Sequence, residues 1–386
     1  MKSGVTLESR RDPWLLTPGP LTTSATVKKA MLHDWGSRDH EFIRINREVR
    51  ERLVRLAGGG DTHVCVPIQG SGTFVLEAML GTMVPRDGRL LVLVNGAYGR
   101  RAARICEYYG RAHETLEWAE NKPVDPAAVE AKLRTEPAFT HVLVVHCETT
   151  SGILNSIERV AEVCAISKKG LLIDAMSSFG AIPLDASQTP FDSMVASSNK
   201  CLEGVPGVGF AVIRKSALVL AKGNAPSLSL DLYDQWESME STGQWRFTPP
   251  THVIVAFHRA LIEHEQEGGV NARGNRYREN CRILIEGMRG MGFQTLLPDA
   301  LQAPIIVTFH TPEDPRFDFQ RFYDSLCDRG FVIYPGKLTV ADSFRIGCIG
   351  RIGSTQMRAA IKAIRETLRE MDVTACAAGV TSAAVE

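Results

Sequence analysis

Neither sign of charge is in excess in this chain of 386 residues: 44 Lys+Arg stand against 44 Asp+Glu. Nothing global therefore favours a nucleic acid or an anionic membrane as partner. The nine cysteines (Cys65, Cys106, Cys147, Cys164, Cys201, Cys281, Cys327, Cys348 and Cys376) are scattered and never spaced as Cys-x-x-Cys. Most lie in apolar stretches such as Val64-Cys65-Val66, the pattern of reduced, buried thiols, and no metal site is expected. No stretch nears the roughly 18 apolar residues of a membrane span. Met1–Glu8 lacks the apolar core of a signal peptide. Internal repeats and low-complexity segments are missing too. A cytoplasmic protein is expected. What the chain has in quantity is apolar residues, 44% of the total, enough for a large core, and a length that suggests two or three domains.

The middle of the chain alternates short apolar runs with helical patterns. Strands are expected at His63–Gln69, Arg89–Val94, His141–His146, Gly170–Asp174, Ser193–Ala196 and Gly207–Ile213. Helices are expected at Thr73–Met83, Gly99–Tyr109, Pro126–Arg134 and Ile157–Lys168, the third opened by an Asp125-Pro126 cap. Continuous apolar strands between helices mean a mostly parallel sheet covered on both faces. Such sheets bind ligands beyond the carboxyl ends of their strands. The pattern changes after about Pro250. Two long amphipathic segments, Val253–Gln266 and Arg273–Arg289, precede shorter patterns at Ile305–Phe309, Phe319–Arg329, Phe331–Tyr334, Phe344–Cys348 and Thr355–Met371. The expected architecture is α/β: a large domain over residues 15–255 and a smaller α+β domain over 256–371. Residues 1–14 form an arm packing on that domain or on a partner, and 372–386 a disordered tail.

Within this frame a few residues are hard to explain as decoration. Lys200 follows Ser197-Ser198-Asn199 and precedes the glycine-rich Gly204-Val205-Pro206-Gly207. Asp174 ends an apolar strand, where an unpaired carboxylate is costly. Pyridoxal 5'-phosphate asks for both, a lysine for its aldehyde and an acid for its ring nitrogen. Gln69-Gly70-Ser71-Gly72-Thr73 joins a strand to a helix, where free N–H groups and the positive end of the helix dipole suit a phosphate. His146-Cys147-Glu148-Thr149-Thr150-Ser151-Gly152 closes another strand. Its hydroxyls could meet the cofactor's phenolic oxygen, while His146 and Glu148 could equally support the site from behind. Tyr98 either stacks on the pyridine ring or simply packs. Arg345, in Phe344-Arg345-Ile346-Gly347, is either a bidentate carboxylate fork or an edge arginine facing water.

Thr17-Pro18-Gly19-Pro20, Gly70–Thr73, His146–Gly152, Asp174-Ala175-Met176-Ser177-Ser178, Ser197–Gly204 and Phe344–Gly347 occur in this order. Over about Leu15 to Met371 the chain thereby resembles the class V group of fold-type I pyridoxal-phosphate aminotransferases. The resemblance implies a seven-stranded sheet in the large domain. It implies Lys200 as the lysine bonded to the cofactor, Asp174 at the ring nitrogen, and Ser71, Gly72 and Thr73 as the phosphate cup. Thr149 or Thr150 would lie near the ring, and Arg345 would take a keto-acid carboxylate. It also implies a homodimer with the active site at the interface, Thr248 reaching the partner's cofactor phosphate. The finer match, through Asp174–Gly180 and Ser197–Cys201, implies 2-aminoethylphosphonate as amino donor and pyruvate as acceptor. Gly19 and Arg38 are further substrate-binding candidates. The competing expectation is an alanine- or serine-glyoxylate-type transaminase of the same group. A cysteine desulfurase would need a cysteine on a mobile loop, whereas Cys348 sits in an apolar strand pattern. A cofactor-free scaffold would have no use for Lys200, Asp174 and the cup together.

Overall fold

A computed structural model of the chain describes residues 12–334 and 340–377. Seven strands make the central sheet: β1 His63–Gly70, β2 Arg89–Val94, β3 Ala112–Glu117, β4 His141–Val145, β5 Gly170–Asp174, β6 Ser193–Ser197 and β7 Gly207–Arg214. Their spatial order is β1-β7-β6-β5-β4-β2-β3, and every pairing is parallel except those of β7.

The two-residue period of a strand assigns its apolar side chains to opposite faces. Leu91, Leu93, Val142, Val144, Leu171 and Ile173 point to one core, completed by α1 (His40–Leu56), α4 (Pro126–Thr135), α5 (Ile157–Ile166) and α6 (Thr251–Glu267). Leu90, Val92, Val94, Leu143 and Leu172 point to the other, covered by α2 (Gly72–Met83) and α3 (Ala97–Tyr108). With both faces buried, the inner strands read as unbroken apolar runs.

A third core lies around α7 (Gly269–Arg289), α8 (Phe319–Asp328), α9 (Ser354–Glu370) and the antiparallel pair β8 (Ile306–His310) and β9 (Ser343–Gly347). Phe293, Phe309, Phe322 and Phe344 fill it. Trp14-Leu15 joins this region by pairing in parallel with Phe331-Val332, while residues 1–11 of the expected arm lie outside the described residues. The cores meet at Gly268-Gly269, between α6 and α7, because α6 still buries Ile254, Phe257 and Leu261 under the large sheet.

Three features depart from the sequence expectations. β3 is an edge strand with β2 as its one neighbour, and its mixed composition, Ala-His-Glu-Thr-Leu-Glu, reflects the solvent on its other side. α1 was not expected, although Phe42, Ile45, Val49 and Leu53 mark its buried stripe. Part of the expected disordered tail is packed: Val373 and Cys376 are buried, and Asp314 accepts hydrogen bonds from the N–H groups of Thr374 and Ala375. Residues 378–386 lie outside the described residues. All nine cysteines are free, and all but Cys327 are buried. Among the described residues no helix is long and apolar enough to cross a membrane.

Candidate active site

The carboxyl ends of β1, β5 and β6 open onto one cleft of about 520 Å³, with Gly19, Ser71, Gly72, Thr73, Tyr98, Arg101, Asp174, Ser197 and Lys200 on its walls. Each wall residue is there for a local reason. Gly70, at φ +119, turns the chain from β1 into α2, and Ser71 caps that helix without a side-chain bond to it. No acidic residue occupies the first turn of α2, so its free N–H groups and dipole face the cleft uncompensated. Gly19, at φ +111, leaves the space that Lys200 occupies: a Cβ there would stand 2.6 Å from Lys200 Cδ and 2.8 Å from the Asn199 carbonyl.

Asp174 ends β5 and is buried. It accepts one hydrogen bond, from the Met176 N–H at 3.0 Å, and no cation among the described residues pairs with it. Burial raises its pKa to about 6, against the pull of that bond and of the Arg101 and Lys200 charges. Lys200 Nζ donates to the Pro18 carbonyl at 2.7 Å, and burial lowers its pKa to about 8. Ser197 Oγ, also buried, has no partner among the described residues. A buried carboxylate with no ion pair among the described residues, a lysine short of its ordinary basicity, a hydroxyl with no partner among them and a helix N-terminus with no side-chain cap surround one space. These residues fit a molecule with a protonated ring nitrogen, an aldehyde and a phosphate.

The segment after β4 supports the cleft from behind. Glu148 is fully buried. Its carboxylate accepts from the N–H groups of Tyr98 (3.1 Å) and Gly99 (3.4 Å), which caps α3, and from the Thr150 N–H (3.0 Å) and hydroxyl (2.6 Å). Burial raises the pKa of this carboxylate and those bonds draw it back. The Thr150 hydroxyl also accepts from the Ala97 N–H at 2.9 Å, so it is engaged in holding α3. The Thr149 hydroxyl is buried and has no hydrogen-bond partner among the described residues, and burial pushes the Tyr98 phenol above its ordinary pKa. His146 is neutral, drawn to about 4 by burial, and bonds Ser178 at 2.9 Å rather than lining the cleft.

Arg345 also stands behind the cleft surface, 1% exposed, with Nη1 donating to the Thr149 carbonyl at 2.8 Å and its guanidinium 4.8 Å from the centre of the Tyr334 ring. Burial lowers its pKa, partly offset by Tyr98, Tyr334 and Glu148. Two expected residues lie elsewhere. Arg38 is exposed on the turn closed by Asp39 against Gly36 and is not on the walls of this cleft. Thr248 is exposed beside a smaller hollow of about 150 Å³ that it shares with Phe74, Trp245 and Phe247. Arg101 was not expected. It lies one turn after Tyr98 on α3, donates to Thr73 Oγ1 at 3.3 Å and stands 4.8 Å from the centre of the Tyr98 ring. The helical spacing from Tyr98 was the available signal.

Residues 23–333 match the family model described as Aminotransferase class-V. The chain is 54% identical over 362 residues to a 2-aminoethylphosphonate–pyruvate transaminase of Pseudomonas fluorescens, covering 94% of this chain and 98% of the relative. It is 53% identical over 365 residues to the protein of that name from Pseudomonas aeruginosa, covering 95% and 98%. In fold it is similar to pyridoxamine-pyruvate aminotransferase from Mesorhizobium loti (TM-score 0.85, 24% identity, covering 94% of this chain and 93% of that one). It is also similar to an alanine–glyoxylate aminotransferase from Nostoc sp. (TM-score 0.86, 22% identity, covering 95% and 98%). The seven-stranded, mostly parallel sheet and its ring of site residues thus have a family: the chain belongs to the class V aminotransferases.

Proposed function

We propose that the protein moves the amino group of 2-aminoethylphosphonate to pyruvate, leaving phosphonoacetaldehyde and L-alanine, with pyridoxal 5'-phosphate held in the cleft. The observation that carries this reading is Asp174, a buried carboxylate with one hydrogen bond and no ion pair among the described residues, sharing its cleft with a lysine of lowered pKa. Identity above one half to relatives of that name supports the choice of substrates.

The Ser71 hydroxyl and the N–H groups of Gly72 and Thr73 would hold the phosphate at the start of α2, with Arg101 beside them. Asp174 would keep a proton on the ring nitrogen, Tyr98 would flank the ring, and Thr149 would face the phenolic oxygen. When bound, the cofactor supplies an aldehyde that bonds an amine and a ring that draws electrons from the carbon carrying it. Lys200 Nζ does the proton work. With its pKa near 8, an appreciable fraction is neutral around neutral pH and able to take a proton from the substrate carbon. Arg345 would receive the pyruvate carboxylate and the phosphonate in turn. Its planar fork suits both anions, and, since it stands just behind the cleft surface, the side chains in front of it would have to open to admit them. Thr248, exposed and away from its own cleft, would reach the cofactor phosphate of a second copy in a homodimer.

The test is a donor screen with purified protein and added cofactor. 2-Aminoethylphosphonate and serine are compared against pyruvate, and alanine against glyoxylate. The expected result is fastest transfer from the phosphonate. Faster transfer from serine at equal concentration would replace this reading with the alanine- or serine-glyoxylate type.

A further inference from the structure

Lys200 and Arg345 lie in different parts of the fold, one on the loop after β6 and one on β9. A partly buried set of charges ties the loop that carries Lys200 to the loop that follows β9. On the lysine side, the Glu203 N–H donates to the Lys200 carbonyl at 2.8 Å, closing a tight turn. Glu203 adopts φ +57, a left-handed conformation that costs a non-glycine residue about 1 kcal/mol or more. Its side chain is buried, accepting from Tyr277 Oη at 2.6 Å and Arg276 Nη2 at 2.7 Å. Arg273 donates to the carbonyl of Cys201, next to the lysine. On the arginine side, Arg276 Nη1 donates to the carbonyls of Gly350 and Ile352, on the loop that leaves β9, and the Gly350 N–H donates to Tyr277 Oη at 3.3 Å. Glu267 balances the charge, accepting from Arg276 Nε at 2.7 Å and Arg273 Nε at 2.8 Å.

We propose that Arg276 is a positioning residue, fixing through Glu203 on one side and the Gly350–Ile352 loop on the other the separation of Lys200 from Arg345. An ion cluster set largely out of water is weak evidence for stability, because desolvation consumes much of the attraction; its better-attested use is to specify geometry. The geometry at stake is that of a substrate whose carboxylate is held at Arg345 while its reacting carbon must lie beside Lys200 Nζ. One guanidinium with five donors meets Glu203, Glu267 and two carbonyls at once, which an ammonium cannot do. The inference rests on the transaminase reading for the roles of Lys200 and Arg345, though the tie between their loops does not.

Two variants test it, Arg276→Lys and Tyr277→Phe. The second leaves every charge in place and keeps the test alive should the first fail to fold. The first measurement is the pH profile of Lys200 acylation in cofactor-free protein, followed by mass spectrometry. Lys200 is faced by Asp174, Cys147, Cys201 and Arg101, none of which is altered. The expected result is a profile displaced toward that of an ordinary lysine as the loop admits water. The second measurement is steady-state transfer to pyruvate, with kcat expected to fall about tenfold or more as orientation is lost and KM to stay within about twofold because Arg345 is intact. An unmoved acylation profile in both variants overturns the proposal, even if melting temperature falls. If wild-type protein transfers no amino group, the transaminase reading fails, while the acylation profile still decides whether Arg276 governs Lys200.

Discussion

Burial shifts both groups that define the cleft towards their neutral forms, and this has a measurable cost. Lys200 lies at about 8 against an ordinary 10.5 because burial disfavours its ammonium, only partly offset by Cys201, Asp174 and Cys147. The folded, cofactor-free protein therefore binds this proton less tightly than the unfolded chain. Stability from this group rises with pH between about 8 and 10.5, and the full cost is present below about 8. Lys200→Met should accordingly melt higher than wild type at pH 7 in cofactor-free form, with the gap closing as pH rises through that window in calorimetry, while turnover is lost. A pH-independent gap would show that the lysine is not depressed. Asp174 runs the other way: burial raises it to about 6, so ionisation costs stability as pH rises from the ordinary 3.8 towards 6. Asp174→Asn should fold normally yet lower turnover by about a hundredfold to a thousandfold, since a neutral amide loses the electrostatic hold on the ring nitrogen. Near-normal turnover in that variant would make the carboxylate structural.

Among the elements, α2 has the most to say about function, since its N-terminus is left uncompensated: Ser71 makes no capping bond and no acid sits in the first turn. Ser71→Asp would suit the helix dipole and leave stability unchanged or raise it by up to about 1 kcal/mol. The same carboxylate would repel a cofactor phosphate. Opposite changes are therefore expected, an equal or higher melting temperature without cofactor and a weaker affinity in a pyridoxal phosphate titration followed by absorbance. Tighter cofactor binding would move the phosphate site elsewhere. Elements of this kind are legible in sequence because their signals are local. Asp125-Pro126 does open α4, with the Asp125 carboxylate accepting from the Ala127 N–H at 3.0 Å. The inner strands declare themselves as apolar runs because both faces are covered. β3 does not, since at a sheet edge nothing demands apolar residues on both sides. The supports of the site were harder to see for a different reason. Glu148 caps a helix that begins 51 residues earlier in the chain, at Ala97, and Arg276 joins loops 73 and 74 residues away; no short-range pattern encodes either. The expected change of pattern near Pro250 preceded the meeting of the cores at Gly268-Gly269, because α6 and α7 are both amphipathic and only packing shows which core each serves.

For the molecule as a whole, the position of Thr248 bears on whether one chain makes a complete site. Thr248 is exposed and off the walls of its own cleft, beside Phe74 and Phe247, which are 50% and 48% exposed. Exposed aromatics side by side are what a surface covered by a second copy would present, and the segment from Gly70 to Phe74 puts this surface at the rim of the candidate phosphate cup. If a second copy covers it with two-fold symmetry, each Thr248 serves the other subunit's site. This can be separated from a role in its own subunit by mixing two inactive variants. Lys200→Ala removes the lysine of its own site, while Thr248→Glu places a carboxylate against the phosphate of the partner's. In a mixed dimer one site inherits both defects and the other inherits neither. Random pairing of equal amounts makes about half the dimers mixed, each with one intact site of two, so activity should return to about a quarter of wild type. The measurement is turnover after unfolding and refolding the two variants together, against each refolded alone. If Thr248 instead served its own site, every site in the mixture would carry one defect or the other, and no activity would return.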